Sequence, residues 1–226
     1  MAACRTALTL VVTLKVVMGF YLPGLAPVTY CEERQPNCKT DVAVYVNRLN
    51  SIETVIPYEY HSFDFCTEDP DAEYEGSPVE NLGQVVFGER IRPSMYNFQF
   101  NKNVKCKSVC QKKYTEGKGD DVKKLHFLKR GISLNYQHHW IIDNMPVTWC
   151  FSVDGGDTFC STGFPIGCYV TKQGKPKDYC SANAQFVDTD TYYLFNHVDI
   201  VIEYHPGSVE DWGQNFQGSR GRIVSA

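Results

Sequence analysis

The sequence lacks two features that would place it at once in a broad functional class. Beyond Phe20 no stretch approaches the roughly 18 uninterrupted apolar residues that a spanning helix needs, so no transmembrane helix is predicted there. The chain also lacks an excess of positive charge, with 22 lysines and arginines against 26 aspartates and glutamates. Because a nucleic-acid-binding surface needs clustered positive charge, we expect no nucleic-acid partner.

Recognisable catalytic motifs are missing as well. There is no Gly-x-Ser-x-Gly nucleophile turn, no phosphate-binding loop and no catalytic signature around Cys168. Glu59 and Asp64 have opposite parity on a predicted strand, so they do not form a carboxylate pair. His138 and His139 also face opposite sides of a strand, which leaves a metal at either one as the weaker alternative. We predict no enzyme activity, no cofactor and no metal site.

The first 19 residues have the pattern of a secretory signal peptide. Residues 7–18 form an apolar stretch that has the length of a signal-peptide core and is too short to span a bilayer. Lys15 interrupts this stretch, and a buried N-terminal strand is the alternative interpretation. We expect residues 1–19 to be a signal peptide and residues 20–226 to be one β domain.

Cysteine is abundant. The chain has 10 cysteines, of which nine remain if Cys4 leaves with the signal peptide. This number indicates an oxidising compartment, where disulfides persist. Cys106 and Cys110 are one close pair without a second pair at zinc-finger spacing, so a zinc site is not predicted. Because nine is odd, at least one thiol is free or bonded outside the chain.

Pairing cysteines with near neighbours predicts four disulfides, although the sequence alone leaves the connectivity open. The predicted bonds are Cys31 with Cys38, Cys106 with Cys110, Cys150 with Cys160 and Cys168 with Cys180. Cys66 is then the possible free thiol. The Cys150–Cys160 bond depends on a hairpin, because a three-residue loop at 154–156 places these two residues opposite each other.

Alternating apolar residues predict that most of the chain forms β-strands. The predicted strands cover residues 41–49, 55–66, 83–91, 95–100, 132–142, 146–153, 163–171 and 192–205. In the last of these, Leu194, Val198, Ile200, Ile202 and Tyr204 share one face. A helix is predicted between Asp120, which can cap it, and Gly131, which can end it. The predicted fold is mainly β, an antiparallel β-sandwich with one short inserted helix.

Aromatic residues allow two interpretations. The set comprises Tyr58, Tyr60, Phe63, Phe65, Tyr136, Trp140, Trp149 and Phe151. If exposed, these side chains are typical of a platform that binds glycans or peptides. Their alternating parity favours a buried core instead, where aromatics commonly lie.

Six longer segments resemble one family. They are FYLPGLAPVTYC (20–31), VNRLNSIETVIPYEYHSFDFC (46–66), ENLGQVVFGERI (80–91), LNYQHHWIIDNMPVTWC (134–150), GFPIGCYVT (163–171) and FNHVDIVIEYH (195–205). They are similar to the N-terminal luminal region of the nonaspanins, the transmembrane 9 superfamily, and cover essentially the whole chain after the signal peptide.

The resemblance implies a luminal β domain followed by nine membrane-spanning helices. This sequence reaches Ala226 without one, so we expect a chain truncated before them, which associates with membranes only in the full-length protein. The resemblance further implies sorting and localisation of membrane proteins in the Golgi and endosomes, with membrane-protein cargo and the family's own membrane domain as partners. It implies no catalytic residue. The alternative is a soluble secreted module that binds glycans or peptides.

Overall fold

The structure, a computed structural model, describes the chain from residue 28 onward with several gaps. The described residues are 28–36, 38–67, 86, 88–115, 117–152, 156–174, 176–177, 180, 188–206 and 220–226. The predicted signal peptide, residues 1–19, and residues 83–85 and 87 of the strand predicted at 83–91 lie outside them. The domain boundary at residue 20 therefore stays a prediction.

Short strands make up most of the regular structure. They are β1 Tyr30–Cys31, β2 Asp41–Val46, β3 Asn50–Ser51, β4 Arg92–Gln99, β5 Tyr136–His138, β6 Trp140–Ile142, β7 Met145–Pro146, β8 Trp149–Ser152, β9 Thr158–Ser161, β10 Phe164–Pro165, β11 Gly167–Val170, β12 Pro176–Lys177, β13 Thr191–Leu194, β14 Glu203–His205 and β15 Arg220–Ser225. A 3-10 helix, η1, spans Tyr60–Phe63, and an α-helix, α1, spans Gly119–Ser133. Every pairing between these strands is antiparallel. The predicted mainly β, antiparallel fold with one inserted helix is confirmed.

Strand β2 lies at the centre of the largest sheet, whose strand order is β4-β2-β6-β7. Its sequence alternates polar and apolar residues, and Val42, Val44 and Val46 are 1%, 0% and 2% exposed. Because side chains alternate between the two faces of a strand, one face of β2 is buried along its length. The predicted alternation is confirmed here.

One apolar core joins the larger sheets to the helix. It contains β2 together with side chains from β5, β6, β10, α1 and β15. Of the aromatic set, Tyr60, Phe63, Tyr136 and Trp140 are buried in this core, and Tyr58, Phe65 and Trp149 pack against it. The core interpretation of these aromatic residues is confirmed.

The helix α1 differs from its prediction at both ends. Lys118 precedes it without a capping side-chain hydrogen bond, and Asp120 lies inside the first turn. At the other end the helix continues past Gly131 to Ser133. Gly131 is buried, and a Cβ there would overlap the Phe63 ring and lie 3.1 Å from Ile166 Cδ1. Close approach of η1, and not helix termination, therefore explains this glycine.

We expect Gly131→Ala to lower the free energy of unfolding by about 2 kcal/mol, because the overlap outweighs the gain of roughly 1 kcal/mol in helix propensity. Gly119→Ala is the matched control, since nothing lies within 4 Å of a Cβ at that end of the same helix. Urea denaturation of both variants measures the difference. A Gly131→Ala variant as stable as Gly119→Ala would contradict the close packing of α1 on η1.

Three predicted strands are wrong in large part, one of them at 83–91, where the described residues belong to no strand. Residues 55–66 form an exposed loop and the helix η1, because the N–H of Ser62 donates to the carbonyl of Glu59 at 2.9 Å in a 3-10 turn. The helix ends at Asp64, which has a left-handed φ of 56°. Residues 192–205 are paired at their ends as β13 and β14, but residues 195–202 belong to no strand.

Candidate functional site

The two most exposed large apolar side chains of the described residues lie in one loop between β3 and η1. Val55 is 97% exposed and Ile52 is 82% exposed, and Ile56 in the same loop is 56% exposed. We name residues 52–56 the apolar loop. Single exposed apolar residues are common on protein surfaces, but three within five residues are typical of an interaction site.

Backbone hydrogen bonds close the base of the apolar loop. The N–H of Leu49 donates to the carbonyl of Tyr58 at 2.8 Å, and the N–H of Tyr58 donates back to Leu49 at 3.0 Å. The hydroxyl of Tyr136, a fully buried core residue, donates to the carbonyl of Ile56 at 2.7 Å. The loop is therefore fixed to the core at both ends.

Hydroxyl groups inside the loop region fix its course. The hydroxyl of Ser51 donates to the carbonyl of Leu134 and accepts the N–H of Glu53 at 3.0 Å. The hydroxyl of Thr54 accepts the N–H of Ile56 at 3.3 Å. Such local side-chain bonds satisfy backbone groups that a strand would have paired. Because the loop is ordered before binding, a partner that buries its apolar side chains loses less conformational entropy.

An ion cluster lies beside the base of the loop. The carboxylate of Glu59 accepts from Arg48 Nε at 2.9 Å and lies 3.5 Å from Arg90. Arg48 also donates to the carbonyl of Gly88 at 3.0 Å, and the side chain of Asn47 accepts the N–H of Arg90 at 2.7 Å. These bonds attach residues 88–90 to the base, so Glu59 has a structural position there.

Asp64 forms a second ion cluster at the end of η1. Its carboxylate lies 3.1 Å from Lys124 Nζ and 3.5 Å from Lys112 Nζ, and it accepts the hydroxyl of Tyr114 at 3.2 Å. Burial alone would raise the pKa of this carboxyl. Hydrogen bonds from Lys124 and Tyr114 and the charge of Lys112 outweigh burial, so the pKa of Asp64 is lowered. The cluster ties α1 and residues 112–114 to η1.

His138 is buried among aromatic rings. Its ring centroid lies 4.7 Å from that of Phe65, 5.0 Å from Phe164 and 5.7 Å from Tyr60. Its Nδ1 atom has no hydrogen-bond partner in the described part of the chain. Burial and then the neighbouring His139 lower the pKa of His138 to about 3, so the imidazole is neutral at physiological pH.

The four disulfides of the described residues are Cys31–Cys38, Cys66–Cys110, Cys150–Cys160 and Cys168–Cys180. Three of these are the pairs that local spacing predicts. In the β8–β9 hairpin, Cys150 pairs directly with Cys160, which is the predicted register. Gly156 has a φ of 91°, the left-handed conformation that this turn requires.

The fourth disulfide differs from the prediction. Cys66 is bonded to Cys110, and Cys106 is exposed and free, so the predicted Cys106–Cys110 bond and the free thiol at Cys66 are wrong. Residues 106–110 contain no helix or turn, and four residues of extended chain reach about 13 Å, twice the Cα separation of a disulfide. Asp64 holds residues 112–114 close to Cys66 instead.

Among the described residues, the other candidate site residues named from the sequence do not lie together in one site. Glu59 and Asp64 belong to the two separate ion clusters described above. Within the same part of the chain, no three histidine, cysteine, aspartate or glutamate side chains are grouped so that they could hold a metal ion. None of its helices is long and apolar enough to cross a membrane.

The apolar loop was missed because Val55 and Ile56 fall in a predicted strand and residues 52–54 fall in no predicted element. Two signals in the sequence mark it. Ser51 and Thr54 each precede by two residues an amide that their hydroxyls accept, and Pro57 interrupts the alternation. Together they indicate turns, in which apolar side chains need not face a core.

Comparison with known proteins shows that the chain is similar to members of one family. Residues 57–226 match the family model described as Endomembrane protein 70. The chain is 57% identical over 189 residues to Transmembrane 9 superfamily member 2 of Pongo abelii and 56% identical over 189 residues to that of Homo sapiens. It is 33% identical over 198 residues to Transmembrane 9 superfamily member 11 of Arabidopsis thaliana. No solved structure matches it.

These similarities cover most of this chain but a minor part of the relatives. The aligned regions are 83% of the chain and 28% of each member 2 protein, and 88% of the chain and 25% of the Arabidopsis thaliana protein. The chain thus spans about a quarter of the length of the curated relatives it matches. The region that carries the similarity includes the helix α1, the buried His138 and most of the strands.

Proposed function

Because this chain belongs to the transmembrane 9 superfamily, we propose that it is the luminal domain of an endomembrane protein that sorts and localises other membrane proteins in the Golgi and endosomes. The superfamily is one of membrane proteins, so the partners that we propose are membrane-protein cargo and the family's own membrane domain. Nucleic acid has no place among them, because the chain carries a net charge of −4.

The disulfides support a luminal position. Three of the four connect cysteines 7 to 12 residues apart, and the fourth closes a loop of 44 residues. Bonds of this kind persist in the secretory pathway and are reduced in the cytosol. We propose residues 1–19 as the signal peptide that directs residues 20–226 to the lumen.

The apolar loop is the observation that carries the proposed binding of cargo. Burying a valine or isoleucine side chain is worth about 1.5–3 kcal/mol, so Ile52 and Val55 gain more from a partner than other exposed residues. The bond from Tyr136 to Ile56 and the bond from Ser51 to Leu134 hold this loop in place, which provides the fixed apolar centre that protein interfaces commonly use. In this proposal the domain acts by binding and has no catalytic role.

A glycan-binding module is the second candidate function; against it, seven of the eight aromatic residues that suggested it are buried in the core or pack against it. The sequence feature that favoured it is therefore accounted for by packing. Peptide binding by the apolar loop is a form of the first proposal.

We expect Ile52→Asp/Val55→Asp to reduce the recovery of membrane-protein cargo about tenfold, because charged side chains cannot enter an apolar pocket without desolvation. The measurement is quantitative proximity labelling in Golgi and endosomal membranes. Val104→Asp is the control, since Val104 is 51% exposed in another segment. Both substitutions should leave the free energy of unfolding within about 0.5 kcal/mol. Equal loss of cargo in the control, or none in the loop variant, would refute the loop as the binding site.

A further inference from the structure

Residues 196–201 have the sequence of a strand, and they pair with no strand of the described residues. They connect β13 to β14 and continue the alternation of apolar side chains that extends from Leu194 to Tyr204. Among the described residues, none of the backbone amides and carbonyls of residues 196–201 has a backbone hydrogen-bond partner. Unpaired backbone groups in such a run are the template to which another strand adds.

The side chains hold this segment in a fixed position on the domain. Ile200 and Ile202 pack against the core, as the inner face of a strand does. On the other face, His197 lies 3.3 Å from Asp199 and both side chains are largely exposed. Val201, on that same face, is 74% exposed. Within the segment Ile200 packs against the core and Val198, on the same face, is 41% exposed, whereas the other face is mixed; the backbone between the two faces has no partner among the described residues.

The neighbouring sheet shows where an added strand fits. Strand β15 pairs antiparallel with β14 up to Glu203↔Ser225. Residues 196–201 precede β14 in the chain and have no backbone partner among the described residues. The carbonyl of Ala226, the residue that follows β15, accepts the N–H of Thr148 at 2.8 Å, and this bond fixes that end of β15. A strand in line with β15 would pair with residues 196–201 as β15 pairs with β14.

We propose that residues 196–201 are the docking site for a β-strand, supplied by the part of the family's longer polypeptide that these 226 residues do not match. The inference rests on the proposed function, in which the domain works beside its family's membrane region. The matched region is 28% of the Homo sapiens relative, so most of that protein lies outside it. The docked strand places apolar side chains beside Ile200 and Ile202 and polar ones beside Asp199.

The experiment uses this chain and, as a separately expressed membrane polypeptide, the unmatched remainder of Homo sapiens Transmembrane 9 superfamily member 2. Capture is measured in detergent with Val198→Pro/Val201→Pro, which removes one amide donor on each edge of the segment. We expect about tenfold less capture by this variant than by wild type. Val104→Pro is the control, because the exposed Val104 lies outside the apolar loop and has no backbone hydrogen bond among the described residues, and this variant should capture normally.

Hydrogen exchange of the unmodified chain provides a second measurement that does not depend on the folding of a proline variant. The amides of residues 196–201 should exchange rapidly in the chain alone and about tenfold or more slowly after the remainder is added. Absence of capture, equal capture by the proline variant, or unchanged exchange would overturn the proposal. Self-association of the chain alone through this segment, seen by light scattering, would overturn it in favour of a second copy. Failure of the cargo experiment would leave these results intact, so the two proposals can fail separately.

Discussion

Removal of the Cys66–Cys110 disulfide is expected to lower the free energy of unfolding by about 4 kcal/mol, because the bond closes a loop of 44 residues in the unfolded chain. The variant to measure is Cys66→Ser in a Cys106→Ser background, where Cys110 has no alternative partner. Urea denaturation under non-reducing conditions gives the loss. A bond across four residues, as local spacing predicts for Cys106 and Cys110, would constrain the unfolded chain much less.

Cys106→Ser alone is the matched control for this result. Cys106 is exposed and free, so its replacement should change the free energy of unfolding by less than about 0.5 kcal/mol. Peptide mapping of the oxidised protein should recover Cys66 linked to Cys110. If Cys106→Ser destabilises the protein as Cys110→Ser does, while Cys66→Ser does not, then the local pairing is correct and the described one is wrong.

Acidification should destabilise the domain through His138. The pKa of His138 is about 3 in the fold because of burial, and about 6.5 in an unfolded chain. Between these two values the unfolded state binds the proton and the folded state does not, so stability falls as the pH falls. The expected loss from His138 is about 2 kcal/mol between pH 6.5 and pH 5, and about 4 kcal/mol between pH 6.5 and pH 3.

His138→Phe should remove this part of the pH dependence, because phenylalanine fits among the rings of Phe65 and Phe164 and does not titrate. His126→Gln is the control, since His126 is exposed on α1 and its replacement should leave the slope unchanged. Urea denaturation at several values between pH 7.5 and pH 5 measures both variants. A His138→Phe variant with the wild-type slope would show that other groups cause the acid sensitivity; His139, whose pKa burial also lowers, would then be the next residue to test.

Local sequence patterns predicted those parts of the fold that local interactions determine. The alternation in β2 predicted its buried face, because a strand with one face on a core needs apolar residues at every second position. The register of the β8–β9 hairpin followed from the length of its loop, which sets Cys150 opposite Cys160. In both cases the residues that decide the structure are neighbours in sequence.

Other features depend on contacts between distant residues and could not be read from the sequence. Cys110 lies beside Cys66 because the carboxylate of Asp64 binds Lys112 and Tyr114, which follow Cys110 in the chain. The same carboxylate also binds Lys124 of α1. Glycine is typical of helix ends, so the residue type of Gly131 suggested that α1 ends there. Its close contact with Phe63 depends on the position of η1, which the sequence does not give.

The apolar loop shows why the candidate site was predicted least well. Val55 and Ile56 continue an alternation that strands also have, and apolar side chains are usually buried. What holds them outside is the bond from Tyr136, 80 residues away along the chain, together with the hydroxyls of Ser51 and Thr54. The proposed binding site depends on an exception to the rule that apolar side chains are buried.

The proposed luminal position of this domain in the Golgi and endosomes is tested directly by protease protection. The chain is expressed with an epitope tag at residue 226, sealed Golgi and endosomal vesicles are isolated, and protease is added with and without detergent. If the domain lies in the lumen, the tagged chain stays intact in sealed vesicles, with Cys66 linked to Cys110, and is digested only after the detergent opens them. Digestion of the chain in sealed vesicles, with its cysteines reduced, would contradict it.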